Sequence, residues 1–246
     1  MPFQKLIVSA TFVVLLTLCD VASAVKCDVA NSSGKQYTVC RIDVLHERLQ
    51  LFLRDSSAKP FKHFDALAGW LRNHGQRLNF AMNAGMYQRD LSPVGLFVAE
   101  GEEVSSLNTA DGYGNFFLKP NGVFFLSASG ANIVESSEYP KIGGQVVLAT
   151  QSGPLLVNKG KIHNKFKVNS TSRVIRNGVG IISQTTVVFA ISDEPVNFFE
   201  FATLFQDNLH CTDALYLDGS ISSLYSVELN RNDIRADLGP IIGVSQ

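Results

Sequence analysis

An α+β fold built on a largely antiparallel or mixed sheet is predicted from three features of the chain. About a dozen short apolar segments indicate strands, and only two segments have the spacing of amphipathic helices. Most connections between them have hairpin length, which favours antiparallel pairing. No internal repeat or low-complexity linker divides the 246 residues. We therefore expect one domain over residues 25–246, preceded by a leader at residues 1–24.

Residues 1–24 have the pattern of a secretory signal peptide. Lys5 supplies a positive start, Leu6 to Leu18 form an apolar core, and Ala22 to Ala24 form a small-residue cleavage site. This core is too short for a membrane-spanning helix, and no later run is long enough for one. The sequence predicts cleavage after Ala24 and export of a soluble protein to the periplasm or beyond the cell.

Composition excludes several classes of function. The formal net charge of −1 gives no support for binding to nucleic acid or to an anionic membrane. The five histidines are scattered and neither zinc-type pattern, Cys-x-x-Cys or His-Glu-x-x-His, occurs. No dinucleotide or phosphate-loop motif is complete either. We therefore expect no metal and no cofactor.

Three cysteines follow the leader. Cys27 and Cys40 flank a polar turn at residues 31–34, so an oxidising compartment favours a disulfide between them. Cys211 is left over. We interpret it as a buried structural thiol rather than a nucleophile, because no base can be assigned to it.

The elements follow in chain order. Alternating apolar residues predict strands at 37–44 and 49–53, and further strands are predicted at 78–82, 93–99, 145–150, 214–217 and 241–244. Three hairpins are predicted, with strands at 116–118 and 123–126, at 155–157 and 161–162, and at 180–183 and 186–191. Helices are predicted over 60–74 and 196–210, the second capped by Asn197 and Glu200. The long polar loops 105–115 and 163–178 are the expected walls of a site.

Four polar segments interrupt this apolar pattern, each at the end of a predicted strand: 83–87, 151–154, 173–180 and 216–225. In the last, Asp218 and Gly219 follow a buried strand and three serines come next. A carboxylate at the end of a strand, beside a flexible glycine and hydroxyl groups, is suited to a polar pocket on a rigid scaffold. An ordinary β-turn remains the alternative.

The order of these segments resembles the phosphodiester glycosidase family, the domain family of N-acetylglucosamine-1-phosphodiester alpha-N-acetylglucosaminidase. The family pattern runs Asn-Gly-Gly-Tyr/Phe-Phe, Gly-Pro-Leu-Leu, Arg-Thr-Ala-Ile-Gly and Leu-Asp-Gly-Gly-Gly-Ser-Ser. The corresponding segments of this chain are Asn83 to Tyr87, Gly153 to Leu156, Arg176 to Gly180 and Leu217 to Ser223. Segments 80–87 and 191–195 resemble an exported bacterial branch.

Four positions depart from the family pattern: Ala84 and Asn177 replace a Gly and a Thr, and Ser220 and Ile221 replace two Gly. These changes make the pocket floor bulkier, so the resemblance does not determine which sugar is bound.

The resemblance implies cleavage of a sugar joined through its anomeric carbon to a phosphodiester. Asp218 is expected to be the nucleophile or the base for water, Arg176 to bind the departing phosphate, and Glu194 to be a second carboxylate. The residues expected to contact a phosphorylated or phosphodiester-linked carbohydrate are Asn83, Gly85, Tyr87, Ser152, Gly153, Asn177, Gly219, Ser222 and Ser223.

Other interpretations stay open for several residues. Arg173 is better explained by a surface ion pair, and His163 by an exposed histidine than by an acid or base. For Asp193 and Glu194, a helix cap is as good an explanation as a catalytic role. A non-catalytic exported protein that binds a polysaccharide or cell-envelope glycan through exposed tyrosines, namely Tyr87, Tyr113 and Tyr225, is the main alternative function. A metal-dependent phosphodiesterase is disfavoured because no cluster has metal-ligand spacing.

Overall fold

Three antiparallel sheets make up most of the computed structural model, which describes residues 25–246. The predicted signal peptide lies outside the described residues. Strands are numbered in chain order. Across the largest sheet, seven strands follow one another as β1 (Lys26–Ser32), β2 (Lys35–Asp43), β13 (Thr186–Ser192), β12 (Asn177–Ile181), β14 (Asp213–Asp218), β10 (Leu155–Asn158) and β11 (Lys161–Ile162).

Two five-stranded sheets complete the β-structure. One has the order β16 (Arg231–Asn232), β15 (Leu224–Ser226), β4 (Leu78–Asn83), β17 (Ile241–Ser245) and β3 (Leu49–Phe52). The other has the order β6 (Glu102–Ser105), β5 (Phe97–Ala99), β9 (Val146–Ser152), β7 (Gly122–Ser127) and β8 (Gly130–Glu135). With the two helices, these sheets confirm the predicted α+β class.

The two predicted helices are present but shorter than expected. Helix α1 spans Phe64–Asn73, because Lys62 has a positive φ of 65° that a helix cannot accommodate. Helix α2 spans Phe198–Thr203 and continues as a π-helical turn over Leu204–Asn208. The predicted cap is confirmed: Asn197 and Glu200 form a reciprocal capping box. Within residues 25–246, no helix is long and apolar enough to cross a bilayer.

The strand predictions near residue 120 are partly wrong. Residues Asn115–Phe117 form a 3-10 helix, and β7 pairs with β8 and β9 instead. Two adjacent phenylalanines do not distinguish a strand from a helical turn, because the segment is too short to show a period. The prediction over 93–99 is also too long, since only Phe97–Ala99 is a strand. The other two hairpins are confirmed by the β10–β11 and β12–β13 pairings.

The main core lies where the three sheets meet. Phe189 of β13 contacts Phe80 of β4 at 5.3 Å and Phe124 of β7 at 6.1 Å, measured between ring centroids. The opposite face of the seven-stranded sheet packs against Phe201 of α2 and Phe205 of the π-helical turn that follows it. Helix α1 covers the sheet that contains β4. The four polar segments therefore adjoin strands that are packed into the core.

The cysteines behave as predicted. Cys27 and Cys40 form a disulfide between directly opposed positions of β1 and β2. Cys211 is buried and free, and burial raises the pKa of its thiol to about 12. A thiol with so high a pKa is not a nucleophile at neutral pH.

Candidate active site

Asp218 is the last residue of β14 and faces Asn177 of β12 across the sheet. Its Oδ1 accepts a hydrogen bond of 2.6 Å from the backbone N–H of Gly219. Burial raises the pKa of Asp218 to about 6, although the Gly219 hydrogen bond acts in the opposite direction. None of the salt bridges among residues 25–246 includes this carboxylate. Asp218 is thus a carboxylate with a raised pKa and no cationic partner among the described residues.

A cleft of about 320 Å³ lies beside Asp218. Ten described residues line it: Met86, Tyr87, Val94, Tyr113, Gly114, Asn115, Phe116, Phe117, Asp218 and Ile221. Asp218 is the one acidic side chain among these residues, and the wall is mostly aromatic. The end of the predicted loop 105–115 contributes to the wall, whereas the loop 163–178 contributes no lining residue. The volume suits one small polar ligand unit.

Four predicted substrate-binding residues form a buried network behind Asp218 instead of lining the cleft. Asn83 and Asn177 pair through their side-chain amides at 3.0 and 3.2 Å. Asn177 Oδ1 also accepts from the backbone N–H of Asp218 at 3.0 Å and from Ser222 Oγ at 3.1 Å. Asn83 Oδ1 accepts from the backbone N–H of Ser223 at 3.0 Å. The two amides therefore fix the backbone on both sides of the carboxylate.

Arg176, which is expected from the sequence to bind the departing phosphate, lies in the protein interior. It is only 1% exposed, and its guanidinium stacks at 3.7 Å on the ring of Phe198. It donates to the carbonyl oxygens of Val196 and Ser172 at 2.9 and 3.1 Å and to the hydroxyl of Tyr216 at 3.1 Å. The guanidinium is occupied by protein acceptors, and Arg176 does not line the cleft.

Tyr216 connects Arg176 to the cleft. It lies two residues before Asp218 on β14, so the two side chains share one face of the strand. Its hydroxyl also interacts with the side chain of Asn115, which lines the cleft. The same hydroxyl occupies the space that a Cβ at position 219 would need, so Gly219 is required there. Sequence reasoning gave Tyr216 no role, although its alternation with Asp218 was the available signal.

Gly85 and Tyr87 belong to the segment that follows β4. Gly85 has a φ of 141°, and a Cβ there would lie 3.1 Å from Thr150 Oγ1, which donates to the carbonyl of Ala84 at 2.6 Å. Gly85 therefore allows close packing on β9. Tyr87 does line the cleft, and its hydroxyl donates to the carbonyl of Asp237. Burial raises the pKa of Tyr87, and the charge of Asp218 raises it further.

Ser152 and Gly153 hold the cleft wall against β14. Ser152 is fully buried and donates through Oγ to the carbonyl of Leu217 at 2.9 Å. A Cβ at Gly153 would lie 2.6 Å from the Cβ of Asn121 and 2.8 Å from the carbonyl oxygen of Phe116. Neither residue lines the cleft, so both act on its shape.

Glu194 lies apart from the cleft. Its carboxylate pairs with Lys35 Nζ at 2.6 Å, which lowers the pKa of Glu194, and its side chain is 40% exposed. Arg173 makes the expected ion pair, with Glu200 at 2.7 and 2.8 Å. His163 is buried and stacked on Phe166, contrary to the exposed histidine expected, and burial lowers its pKa. The structure does not bring these residues to Asp218.

No obvious site for a metal is present in the part of the chain that the structure describes. No group of three or more His, Cys, Asp or Glu side chains there lies close enough to share an ion. The chemistry that the cleft offers from its own residues is the carboxylate of Asp218 and the amide of Asn115, and the buried hydroxyl of Tyr216 lies behind that amide.

Comparison with known proteins identifies related chains. A family model described as phosphodiester glycosidase matches residues 76–244. The uncharacterized protein YigE of Escherichia coli strain K12 is 35% identical over 179 residues, which cover 73% of this chain and 70% of YigE. The family match spans all four polar segments and the whole cleft.

Two solved structures share the fold. The catalytic domain of zebrafish N-acetylglucosamine-1-phosphodiester alpha-N-acetylglucosaminidase, auto-inhibited by its pro-peptide, superimposes with a TM-score of 0.66 at 11% identity, covering 92% of this chain and 84% of that one. A hypothetical protein from Synechocystis gives a TM-score of 0.53 at 15% identity, covering 90% of this chain and 61% of its own. At these identities the similarity concerns the fold.

Proposed function

This chain belongs to the phosphodiester glycosidase family, and from that premise we propose that it hydrolyses a sugar-1-phosphodiester at the bond between the anomeric carbon and oxygen. The family supports a hydrolase; the bond cleaved, the residues and the substrate are our proposal. The observation that carries it is the isolated carboxylate of Asp218 in an otherwise uncharged, aromatic cleft.

A single carboxylate fits the chemistry of this bond. Ordinary glycosidases use two carboxylates, one of which protonates a poor leaving group. A phosphate monoester leaves as a stable anion and needs little protonation. When the C–O bond breaks, its electron pair goes to the phosphate oxygen, and a water molecule supplies hydroxide to the sugar and a proton to the base. Asp218 would act as that base or as the nucleophile.

The pKa of Asp218, about 6, is compatible with either role. Above that pH the carboxylate is charged and available, and in a poorly solvated cleft it can stabilise positive charge on the sugar ring. No cationic side chain among residues 25–246 forms a salt bridge with it. The aromatic wall would contact the sugar face and exclude water.

Arg176 and Tyr216 are assigned a positioning role. The buried guanidinium donates to the Tyr216 hydroxyl, which polarises it toward the cleft beside Asn115. The leaving phosphate would thus meet the Asn115 amide at the cleft, with the Tyr216 hydroxyl and then the guanidinium behind it. The network of Asn83 and Asn177 would hold Asp218 at a fixed height above the cleft floor.

Export is part of the proposal. The Cys27–Cys40 disulfide supports an oxidising compartment, as does the pattern of residues 1–24 in the sequence. A mature N-terminus at Val25 in protein recovered from the periplasm or medium is the expected result. An uncleaved Met1 in the exported protein would contradict it.

A direct test uses the purified chain and a sugar-1-phosphodiester. Free reducing sugar should appear, and Asp218→Asn should lower the rate by about 100-fold or more with folding preserved. Turnover by Asp218→Asn at the wild-type rate would exclude the assignment of Asp218.

The alternative, a glycan-binding protein without activity, rests on Tyr113. This side chain is wholly exposed at the cleft, where it offers a stacking surface. Tyr225, the third tyrosine suggested for this role, instead contacts Phe64 of α1. Saturable binding of a sugar-1-phosphodiester without release of sugar would favour this alternative.

A further inference from the structure

Two cavities larger than the Asp218 cleft lie along strand β3. Their volumes are about 410 and 440 Å³, and they share the lining residues Arg48, Gln50, Leu51 and Glu100. We call them together the β3 groove. None of its lining residues lines the Asp218 cleft. Strand β3 is the last strand of its sheet, so one of its edges is open.

Glu47 lines the groove with half of its carboxylate unsatisfied. The residue is only 5% exposed, and Oε2 accepts from the backbone N–H of Asp43 at 2.7 Å. Oε1 is buried and has no hydrogen-bond partner among the described residues. Leaving a buried carboxylate oxygen without a donor is costly, and native proteins rarely do so. The oxygen therefore requires a donor that the described residues do not supply.

Unused donors line the same groove. Ser245 Oγ lies 2.8 Å from Gln50 Oε1 and 3.0 Å from Gln76 Oε1, and its single hydrogen is shared between these two acceptors. Their Nε2 groups have no hydrogen bond to another described residue. The Nε1 of Trp70 is also buried without a partner in residues 25–246. The groove thus offers one acceptor and several donors within reach of an apolar floor that includes Phe52, Phe61 and Leu71.

The charges of the groove select against an anionic ligand. Its acidic residues are Glu47, Glu100 and Glu102, and its basic residues are Arg48 and Arg54. Arg48 and Glu100 are 3.9 Å apart with strongly exposed side chains, so both can exchange this weak pair for ligand hydroxyls. No cationic excess exists among these lining residues to hold a phosphate or a polyanion.

We propose that the β3 groove binds a neutral oligosaccharide. A sugar ring presents hydroxyl donors and acceptors at its edge and C–H groups on its faces, and this matches paired polar groups above an aromatic and aliphatic floor. The two cavities would accommodate successive sugar units along β3. This site does not rest on hydrolysis at Asp218.

The only tryptophan of the chain, Trp70, lines the groove and makes it directly observable. Tryptophan fluorescence of the purified chain is titrated with maltotetraose, cellotetraose and chitotetraose. At least one should give a saturable change with a Kd of about 1 mM or below. Glu47→Gln and Gln50→Ala should each weaken that binding by about tenfold. Asp218→Asn, the matched control outside the groove, should bind as the wild type does.

Several results would overturn the proposal. No saturable change with any tetraose up to about 10 mM would remove the site. Unchanged affinity of both groove variants for the tetraose would show that it binds outside the β3 groove. Preference for an extended peptide, added as a strand to β3, would identify a different occupant. Urea unfolding of Glu47→Gln and Gln50→Ala separates lost binding from lost folding. Loss of sugar release in Asp218→Asn with tetraose binding retained would keep the two sites distinct.

Discussion

Replacing Asp218 by Asn should abolish turnover and at the same time stabilise the fold at neutral pH. The substitution keeps the shape of the side chain, and the amide oxygen of the variant can still accept the hydrogen bond from the Gly219 backbone. It removes a charge that has no cationic partner among the described residues. Lower activity together with higher stability is expected when a catalytic group is kept in an environment that destabilises its charged form.

The size of the stabilisation follows from the pKa. Burial raises the pKa of Asp218 from 3.8 to about 6, a difference of roughly two units. At 1.36 kcal/mol per unit, ionised Asp218 lowers the free energy of unfolding by about 3 kcal/mol once the pH is above 6. Partial exposure to solvent makes this an upper figure.

The sign of the pH dependence is fixed by proton binding. Between pH 4 and 6 the native state keeps the Asp218 proton, whereas the unfolded chain loses it, so wild-type stability falls as pH rises through this range. The carboxamide that replaces the carboxyl group in Asp218→Asn does not titrate. The free energies of unfolding should therefore agree near pH 4 and differ by up to about 3 kcal/mol, in favour of Asp218→Asn, at pH 8.

Urea unfolding of both proteins at pH 4 and pH 8, beside initial rates of sugar release, measures the two effects. A difference in stability that does not change between these pH values would refute the raised pKa. A rate within tenfold of wild type would refute the catalytic role.

Three further variants test the neighbourhood of Asp218, the disulfide and the excluded carboxylate. Tyr216→Phe leaves a buried N–H of Arg176 without an acceptor, so calorimetry should show a loss of about 1–3 kcal/mol in unfolding free energy. Its kcat should fall about tenfold, and unchanged kcat would remove the positioning role. The double change Cys27→Ser and Cys40→Ser should lower the urea-derived stability by about 3 kcal/mol; equal stability would contradict it. Glu194→Gln removes an exposed ion pair, so both the free energy of unfolding and the steady-state activity should stay near the wild-type values. A loss as deep as that of Asp218→Asn would restore Glu194 as the second carboxylate.

The sequence located strands and strand ends well, because the period of apolar residues is a local property. Buried runs such as Thr186–Ser192 and Ile241–Ser245 follow the expected spacing. Strands β1, β6, β8, β15 and β16 were missed; in β1, outward residues such as Asp28 and Asn31 leave little apolar character. The 3-10 turn at Asn115–Phe117 was missed because its aromatic residues also suit a strand.

The sequence predicted which residues gather near Asp218 more reliably than it predicted what each of them contacts. Asn83, Asn177 and Ser222 do gather behind Asp218, as the order of the motifs suggested, but they satisfy one another instead of facing the cleft. Arg176 shows the same limit, since only the fold reveals that Phe198 and Tyr216 enclose its guanidinium. Whether a polar side chain points at a ligand or at the protein depends on contacts between distant segments.

The measurement closest to the central claim is the fate of oxygen-18 from labelled water during hydrolysis of a sugar-1-phosphodiester. Mass spectrometry should find the label in the released sugar and not in the phosphate monoester, with product formation strongly reduced in Asp218→Asn. Label in the phosphate would show that the P–O bond is cleaved and would contradict a carboxylate acting at the anomeric carbon.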